Sequence, residues 1–394
     1  MKVLVIGGMG IIGGSVSRAS VKKGLEVTVI CRHKLSEEYK KLNIKEFCGD
    51  WYDDEIAKKV VSDNYDIIVD GLIFNSNSMK RDLEIVNNHC SHFFYISTDA
   101  VYNQSNEKKN ENFEIDLGKL SWSYGYNKRA AELELLKENN KYSFKWTIIR
   151  PTVTFNNTRI PVGFASRRNE LTMINRIKNG KPILCYDSID SRHSLCHVST
   201  FGDAVVHCMM NPKAYGEVFH ISDDKDYSYD EIFSIISKII DKPVYTVHVP
   251  VKKLKKLNKD KYDEMVFDKN PTSILDNSKI KNIAPDVNYN IILENVLRNT
   301  INYLENNYTD LLEDEDYNKI SDSILLKYKS MNLKDKESDI ASSYISSFTK
   351  SYIKELKKYT ATATKQNIKR CLTTYIKNIL RPVVKPILKK IRNK

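Results

Sequence analysis

The chain has 394 residues, room for two or three domains. Hydrophobic residues make up 41% of it and the mean hydropathy is −0.45, which allows a buried core and excludes disorder throughout. The net charge is +12, yet residues 357–394 carry twelve Lys/Arg and no Asp/Glu. The other 50 basic residues match the 50 acidic ones, so the whole excess belongs to one tail.

No apolar run reaches the roughly 18–20 residues of a bilayer span. The opening MKVLVIGGMGIIGG lacks a basic leader and a small-residue cleavage site, and reads as a strand and glycine turn rather than a secretory signal. The seven cysteines are irregularly spaced, with no C-x-x-C. That argues against a disulfide scaffold or a zinc finger and for a reducing cytoplasm; no metal site is expected.

Taken in order, Lys2–Ile6 predicts a buried strand, residues 11–23 a helix stopped by Gly24, and EVTVIC (26–31) a second strand. Residues 44–47 suggest a third strand and DIIVD (66–70) a fourth, with a helix near 79–90. FFYIS (93–97) and WTIIR (146–150) complete six strands around a helix at about 123–139. Strands separated by helices imply βαβ units and a parallel sheet covered on both faces, an α/β chain. After Pro151 the pattern breaks into loops and short elements, among them EVFHI (217–221) as a strand and residues 228–240 as an amphipathic helix. The divisions expected are 1–155 for nucleotide binding, 156–300 for a substrate lobe, 301–356 for a charged extension and 357–394 for the basic tail.

The first strand runs into Gly7-Gly8-Met9-Gly10-Ile11-Ile12-Gly13, a G-x-x-G-x-x-G pattern. Such glycines permit a tight turn and close approach to a pyrophosphate, which the following helix N-terminus attracts. Gly7, Gly10, Ile11, Ile12 and Gly13 are the candidate dinucleotide contacts. An acid at the end of the second strand would select NAD. Here stand Cys31-Arg32-His33-Lys34, so the expectation is NADP over NAD, with Arg32 on the 2′-phosphate. Asp50, after the third strand, is a candidate for the adenine edge.

Tyr124 and Lys128 are four residues apart, on one helix face. A nearby ammonium favours the phenolate and lowers a phenol's pKa, making proton exchange with a carbinol oxygen feasible. Lys128 could also hold a cofactor ribose. Tyr126 has no lysine at that spacing. The fifth strand ends in Ser97-Thr98-Asp99, and a hydroxyl there, Thr98 by preference, can meet the same substrate oxygen.

Taken together, the glycine pattern, STDAVY, YGYNK and IIRPT resemble the extended short-chain dehydrogenase/reductase superfamily in its NAD(P)-dependent epimerase/dehydratase branch, over about residues 1–300. The resemblance implies a Rossmann-type doubly wound parallel sheet, a small discontinuous substrate lobe and a Thr98/Tyr124/Lys128 triad. In that triad Tyr is the acid/base, Lys lowers its pKa and binds the nicotinamide ribose, and Thr orients substrate. Sugar 4,6-dehydratases of the family follow the Thr with Asp-Glu; here Asp99 is followed by Ala100, so dehydration is not expected. What is expected is a nucleotide-sugar epimerase or 4-keto reductase, with Thr98 and Asp99 on the substrate. Arg192 is the candidate for the diphosphate, one residue earlier than the common spacing, with Arg159 and Arg167-Arg168 as alternatives. Family members often form homodimers through the helices flanking the tyrosine.

From Ile368 the tail places apolar residues at steps of three and four, interrupted by Pro382 and Pro386. It reads as a surface helix for anionic lipid, giving a cytoplasmic protein peripheral to the inner face of the membrane. Binding RNA phosphates, docking a partner and a plain solubilising tail are the competing readings, with nucleic acid not favoured. Two alternatives to the enzyme stand beside it: a non-catalytic NADP-bound regulator or RNA-binding protein on the same fold, and a reductase or isomerase of a non-nucleotide small molecule.

Overall fold

The computed structural model describes residues 1–34, 36–137, 141–166, 169–186, 191–249, 251, 259–308 and 313–332. Met1–Asp314 forms one compact unit, and a second begins at Glu315 with the helix α12 (Glu315–Asn332). The basic tail expected to reach a membrane lies outside the described residues. Among those described, no helix is long and apolar enough to cross a membrane.

In the first unit the chain runs β1 (Lys2–Ile6), α1 (Ile11–Lys22), β2 (Glu26–Cys31), α2 (Glu37–Lys41), β3 (Lys45–Cys48), α3 (Asp54–Val61), β4 (Tyr65–Asp70), α4 (Ser76–Val86), β5 (Cys90–Ile96), α5 (Ser123–Lys137) and β6 (Lys145–Pro151). It continues through β7 (Val153–Phe155), α6 (Leu171–Lys178), β8 (Ile183–Cys185), β9 (His193–His197), α7 (Val198–Cys208), β10 (Glu217–Ile221), β11 (Asp226–Tyr227), α8 (Tyr229–Ile240), β12 (Thr246–His248), α9 (Lys259–Glu264), α10 (Ser278–Lys281) and α11 (Leu293–Asn307).

Seven strands form one parallel sheet in the order β10-β6-β5-β4-β1-β2-β3. The chain winds outward from β1 to β3, then returns to place β4 on the other side of β1. This reversal between β1 and β4 opens a crevice at the carboxyl ends of the strands. Alternate residues of β1 feed opposite cores. Val3 and Val5 pack with Val16 and Ala19 of α1 and Phe201 and Val205 of α7. Leu4 and Ile6 pack with Val60 of α3, Leu83 of α4 and Leu135 of α5. With both faces covered, the strands are apolar throughout rather than alternating. The expected doubly wound Rossmann-type fold is the one observed.

Some boundaries move for local reasons. The helix expected near 79–90 is α4, three residues earlier. Asn75 caps it by accepting from Ser78 N at 2.9 Å, and Asn88, at φ 65°, turns the chain so that Cys90 can start β5. Helix α7 is hard to read as an amphipathic helix, because seven of its eleven residues are buried and Ser199, Asp203 and His207 form only a narrow polar stripe. The substrate-side segments pair as a three-stranded sheet, β11-β9-β7, and a two-stranded one, β12-β8, while β10 returns to the main sheet beside β6.

Candidate active site

The crevice at the carboxyl edge has a volume of about 780 Å³, within the range of small-molecule sites. Its floor is the turn from β1 into α1: Gly7, Gly10, Ile11, Ile12 and Gly13 all line it. A Cβ on Gly13 would come within 2.4 Å of Gly7 O, so this turn closes only around a glycine. Gly10 caps α1 without any side-chain bond. The positive end of a twelve-residue helix therefore faces the crevice with no side chain competing for it. This cradle fits a pyrophosphate.

Across from the glycines stand Ser97, Thr98, Asp99 and Tyr124. Tyr124 enters on the first turn of α5, which comes close because Gly125 has no side chain: a Cβ there would meet Ala100 O at 2.2 Å. The Trp122 ring lies 4.9 Å from that of Tyr124. Thr98 accepts from Ala100 N at 3.2 Å, and its hydroxyl is also a hydrogen-bond partner that acts to lower the Tyr124 pKa.

That lowering does not prevail. Burial first, then the charges of Asp268, Asp99 and Glu264, push the Tyr124 phenol up to about 12. The sequence expectation that Lys128 depresses the phenol is therefore not met in this state, and the reason is where the lysine points. Lys128 is 2% exposed, and its Nζ donates to Ile73 O at 2.8 Å and Ile96 O at 2.6 Å, bridging the turn after β4 to the end of β5. Burial lowers its own pKa to about 7, against the attraction of Asp70 and Glu132. Tyr126, two residues from Tyr124, is exposed.

Asp99 lines the crevice, accepts from Ser273 Oγ at 2.9 Å, and is held above its ordinary pKa by burial and then by Asp268. Ser97 is turned away from substrate duty: its hydroxyl donates to Glu132 at 2.6 Å. Glu132 in turn takes a two-pronged bond from Arg150 at 2.8 and 2.7 Å and one from Arg129 at 2.7 Å. Arg150 continues to the Tyr102 hydroxyl at 2.6 Å, which meets His220 Nε2 at 2.6 Å. The sequence reading missed this buried chain. The RPT stretch reads as a family mark, and nothing local to Glu132 discloses a partner 18 residues away.

Three candidates fall elsewhere. Arg192 is not brought to the crevice, because its guanidinium is bonded to the Asp226 carboxylate and carbonyl and lies 3.2 Å from Glu231. Arg159, one of the alternatives, does line the crevice; Arg167-Arg168 lies outside the described residues. Arg32 and Asp50 are exposed at the ends of β2 and β3, beyond the crevice lining, and Asp50 accepts from Tyr52 N at 3.0 Å. Glu264, Asp268 and Lys269, which no motif flags, complete the wall beside Tyr124. Away from the crevice, ligand-type atoms of Cys185, Asp230 and His248 lie within 4.8 Å of one another, and a 2.9 Å bond already joins the last two.

The model of the NAD dependent epimerase/dehydratase family matches residues 3–222, more than half of the chain. The chain belongs to this family. The family match spans the glycine cradle, Thr98, Tyr124 and Lys128. Over 128 residues the chain is 28% identical to a UDP-glucose 4-epimerase of Vibrio cholerae, covering 32% of this chain and 37% of that one. Over 251 residues it is 25% identical to the chloroplast stem-loop binding protein of 41 kDa b of Arabidopsis thaliana, covering 60% and 62%. The alignments thus span less than two thirds of either relative. Among solved structures, a UDP-glucuronic acid 4-epimerase from Bacillus cereus superposes with TM-score 0.63 at 18% identity, over 78% of this chain and 99% of that one. A UDP-glucose 4-epimerase of Thermus thermophilus in complex with NAD gives 0.60 at 16%, over 78% and 100%. At such identities the likeness is one of fold.

Proposed function

We propose that the chain is a nicotinamide-dinucleotide-dependent epimerase or 4-keto reductase acting on a nucleotide sugar. The observation that carries this reading is that Thr98 and Tyr124 line the same crevice as Gly7, Gly10 and Gly13, with Lys128 buried one helical turn behind the phenol. When bound, the dinucleotide would supply a centre that takes up and returns hydride. Gly7, Gly10, Ile11, Ile12 and Gly13 would hold its pyrophosphate. The Tyr124 phenol, protonated at neutral pH, is placed to give a proton to a substrate oxygen, with the Thr98 hydroxyl beside it to fix that oxygen. A cation entering the crevice would lower the phenol and let it act in the reverse sense. Arg159, which lines the crevice as Arg192 does not, would be the arginine available to a substrate phosphate.

The choice between NAD and NADP rests on the end of β2. The Thermus enzyme was solved with NAD, whereas the exposed Arg32 at the end of β2 suits a 2′-phosphate. The test is incubation of the purified chain and its Tyr124→Phe variant with a panel of nucleotide hexoses, uronates and 4-keto sugars in the presence of each dinucleotide, oxidised and reduced. Conversion of one sugar by the wild type alone supports the proposal; equal conversion by both proteins, or none by either, contradicts it.

A second reading has one observation in its favour, the similarity to the chloroplast stem-loop binding protein. On that reading the crevice would be regulatory and the product of interest an RNA complex. Tight, salt-sensitive retention of a stem-loop RNA by a chain inert toward every nucleotide sugar would favour it.

A further inference from the structure

Two cysteines stand side by side at the carboxyl edge of the sheet, and the reading of the crevice uses neither. Cys31 ends β2, Cys48 ends β3, and the parallel register sets them directly opposite one another. Neighbouring strands lie about 4.8 Å apart, and residues directly opposed point to the same face. A disulfide needs Cα atoms roughly 4.4–6.8 Å apart, and this register meets that spacing. The two thiols also converge on one turn. Cys31 Sγ donates to His33 O at 3.0 Å, and Cys48 Sγ donates to Arg32 O at 3.7 Å, the carbonyls of successive residues. Cys48 is exposed and Cys31 half-buried, whereas Cys185, Cys196 and Cys208 are buried. Arg32, His33 and Lys34 are all exposed, which makes the turn basic and attractive to an anionic reagent.

We propose that Cys31 and Cys48 form a reversible thiol-modification site that takes small anionic disulfides, such as oxidised glutathione, and closes to an internal disulfide. The exposed Cys48, as thiolate, attacks one sulfur of the reagent; a mixed disulfide forms and one thiolate leaves. Cys31, as thiolate, then attacks the Cys48 sulfur, the Cys31–Cys48 bond forms and the second thiolate leaves. Two protein thiols lose two electrons, the reagent gains them, and the two protons pass to the departing thiolates. Burial, helped by the charges of Glu46 and Cys48 and opposed by the hydrogen bond to the His33 backbone, holds the Cys31 thiol above its ordinary value, consistent with its acting second. In a reducing compartment, exposed disulfides of this kind are transient and regulatory rather than structural.

The consequence rests on the dinucleotide reading. The end of β2 is where a Rossmann site meets the adenosine ribose. Closure withdraws both S–H donors from the Arg32 and His33 carbonyls and ties the start of that turn to β3. Dinucleotide affinity falls on oxidation and returns on reduction.

The full-length chain, reduced and then exposed to a graded series of oxidised glutathione, is blocked with an alkylating reagent and mapped by peptide mass. Dinucleotide affinity is measured on the same samples. The expected result is a linked Cys31–Cys48 peptide, affinity weaker by about tenfold, and full recovery with dithiothreitol. Cys48→Ser should form no link and keep its affinity under oxidant, while Cys31→Ser should stop at the mixed disulfide on Cys48. Recovery of both cysteines alkylated at high oxidant, or their pairing with other cysteines, overturns the site. A linked protein that binds as tightly as the reduced one overturns its control of binding. Reduced wild type that binds no dinucleotide defeats the reading of the crevice instead, and the peptide map still decides the disulfide.

Discussion

Tyr124 sits where burial and three carboxylates keep its phenol protonated, and its proton is therefore available to a substrate oxygen at neutral pH. Tyr124→Phe removes that proton and little else. Turnover should fall on the order of a hundredfold or more, with dinucleotide affinity unchanged, as measured by steady-state kinetics beside a binding titration. Lys128 invites a second test at this scale. Its pKa is about 7 in the folded chain against an ordinary value of 10.5. Between those values the unfolded state binds the extra proton, so this group's contribution to stability rises with pH across that window. Replacing it by Met removes the dependence. The melting temperature of Lys128→Met relative to wild type should be higher at pH 6 than at pH 9, and the reverse order would contradict the placement of the ammonium. The spacing of Tyr124 and Lys128 was legible because four residues make one helical turn. The aim of Lys128 was not, since the carbonyls it holds belong to residues 55 and 32 positions away. Arg192 misled for the same reason: a guanidinium goes to the nearest carboxylate in space, and Asp226 is 34 residues on.

At the scale of elements, β5, α5 and β6 are locked by one buried ion pair. Glu132 from α5 is fully buried between Ser97 at the end of β5 and Arg150 on β6. Removing Arg150 takes two charge-assisted bonds from Glu132, which keeps Arg129 and Ser97, and costs about 1.5–3 kcal/mol. Arg150→Met should lower stability by that amount in urea unfolding, and a loss well under 1 kcal/mol would contradict the geometry. Because Ser97 and Thr98 are adjacent, the same change should also reduce turnover. Strands β1, β2, β4, β5 and β6 could be read because each holds an apolar run bounded by turns, whereas the edge strand β3, KEFC, is short and only partly buried. After Pro151 the strand at 217–221 and the helix at 228–240 could also be read, but β7, β8, β11 and β12 have only two or three residues each, too few to show a period.

The whole molecule divides its charge unevenly: a balanced body and a tail, residues 357–394, with twelve cations and no anion. If the tail reaches anionic lipid, pelleting with phosphatidylserine vesicles should be lost on truncation at 357 and weakened by salt. Equal pelleting of the two forms would remove that reading. The body's claim is larger and simpler, that the glycine turn and the Tyr124 wall together hold one nicotinamide dinucleotide. Native mass spectrometry of the purified chain, alone and after adding NAD or NADP, tests it most directly. One dinucleotide per chain is expected, retained by Tyr124→Phe and lost by Gly13→Val; a chain that takes up neither dinucleotide, or a Gly13→Val variant that binds as well as wild type, would refute that shared site.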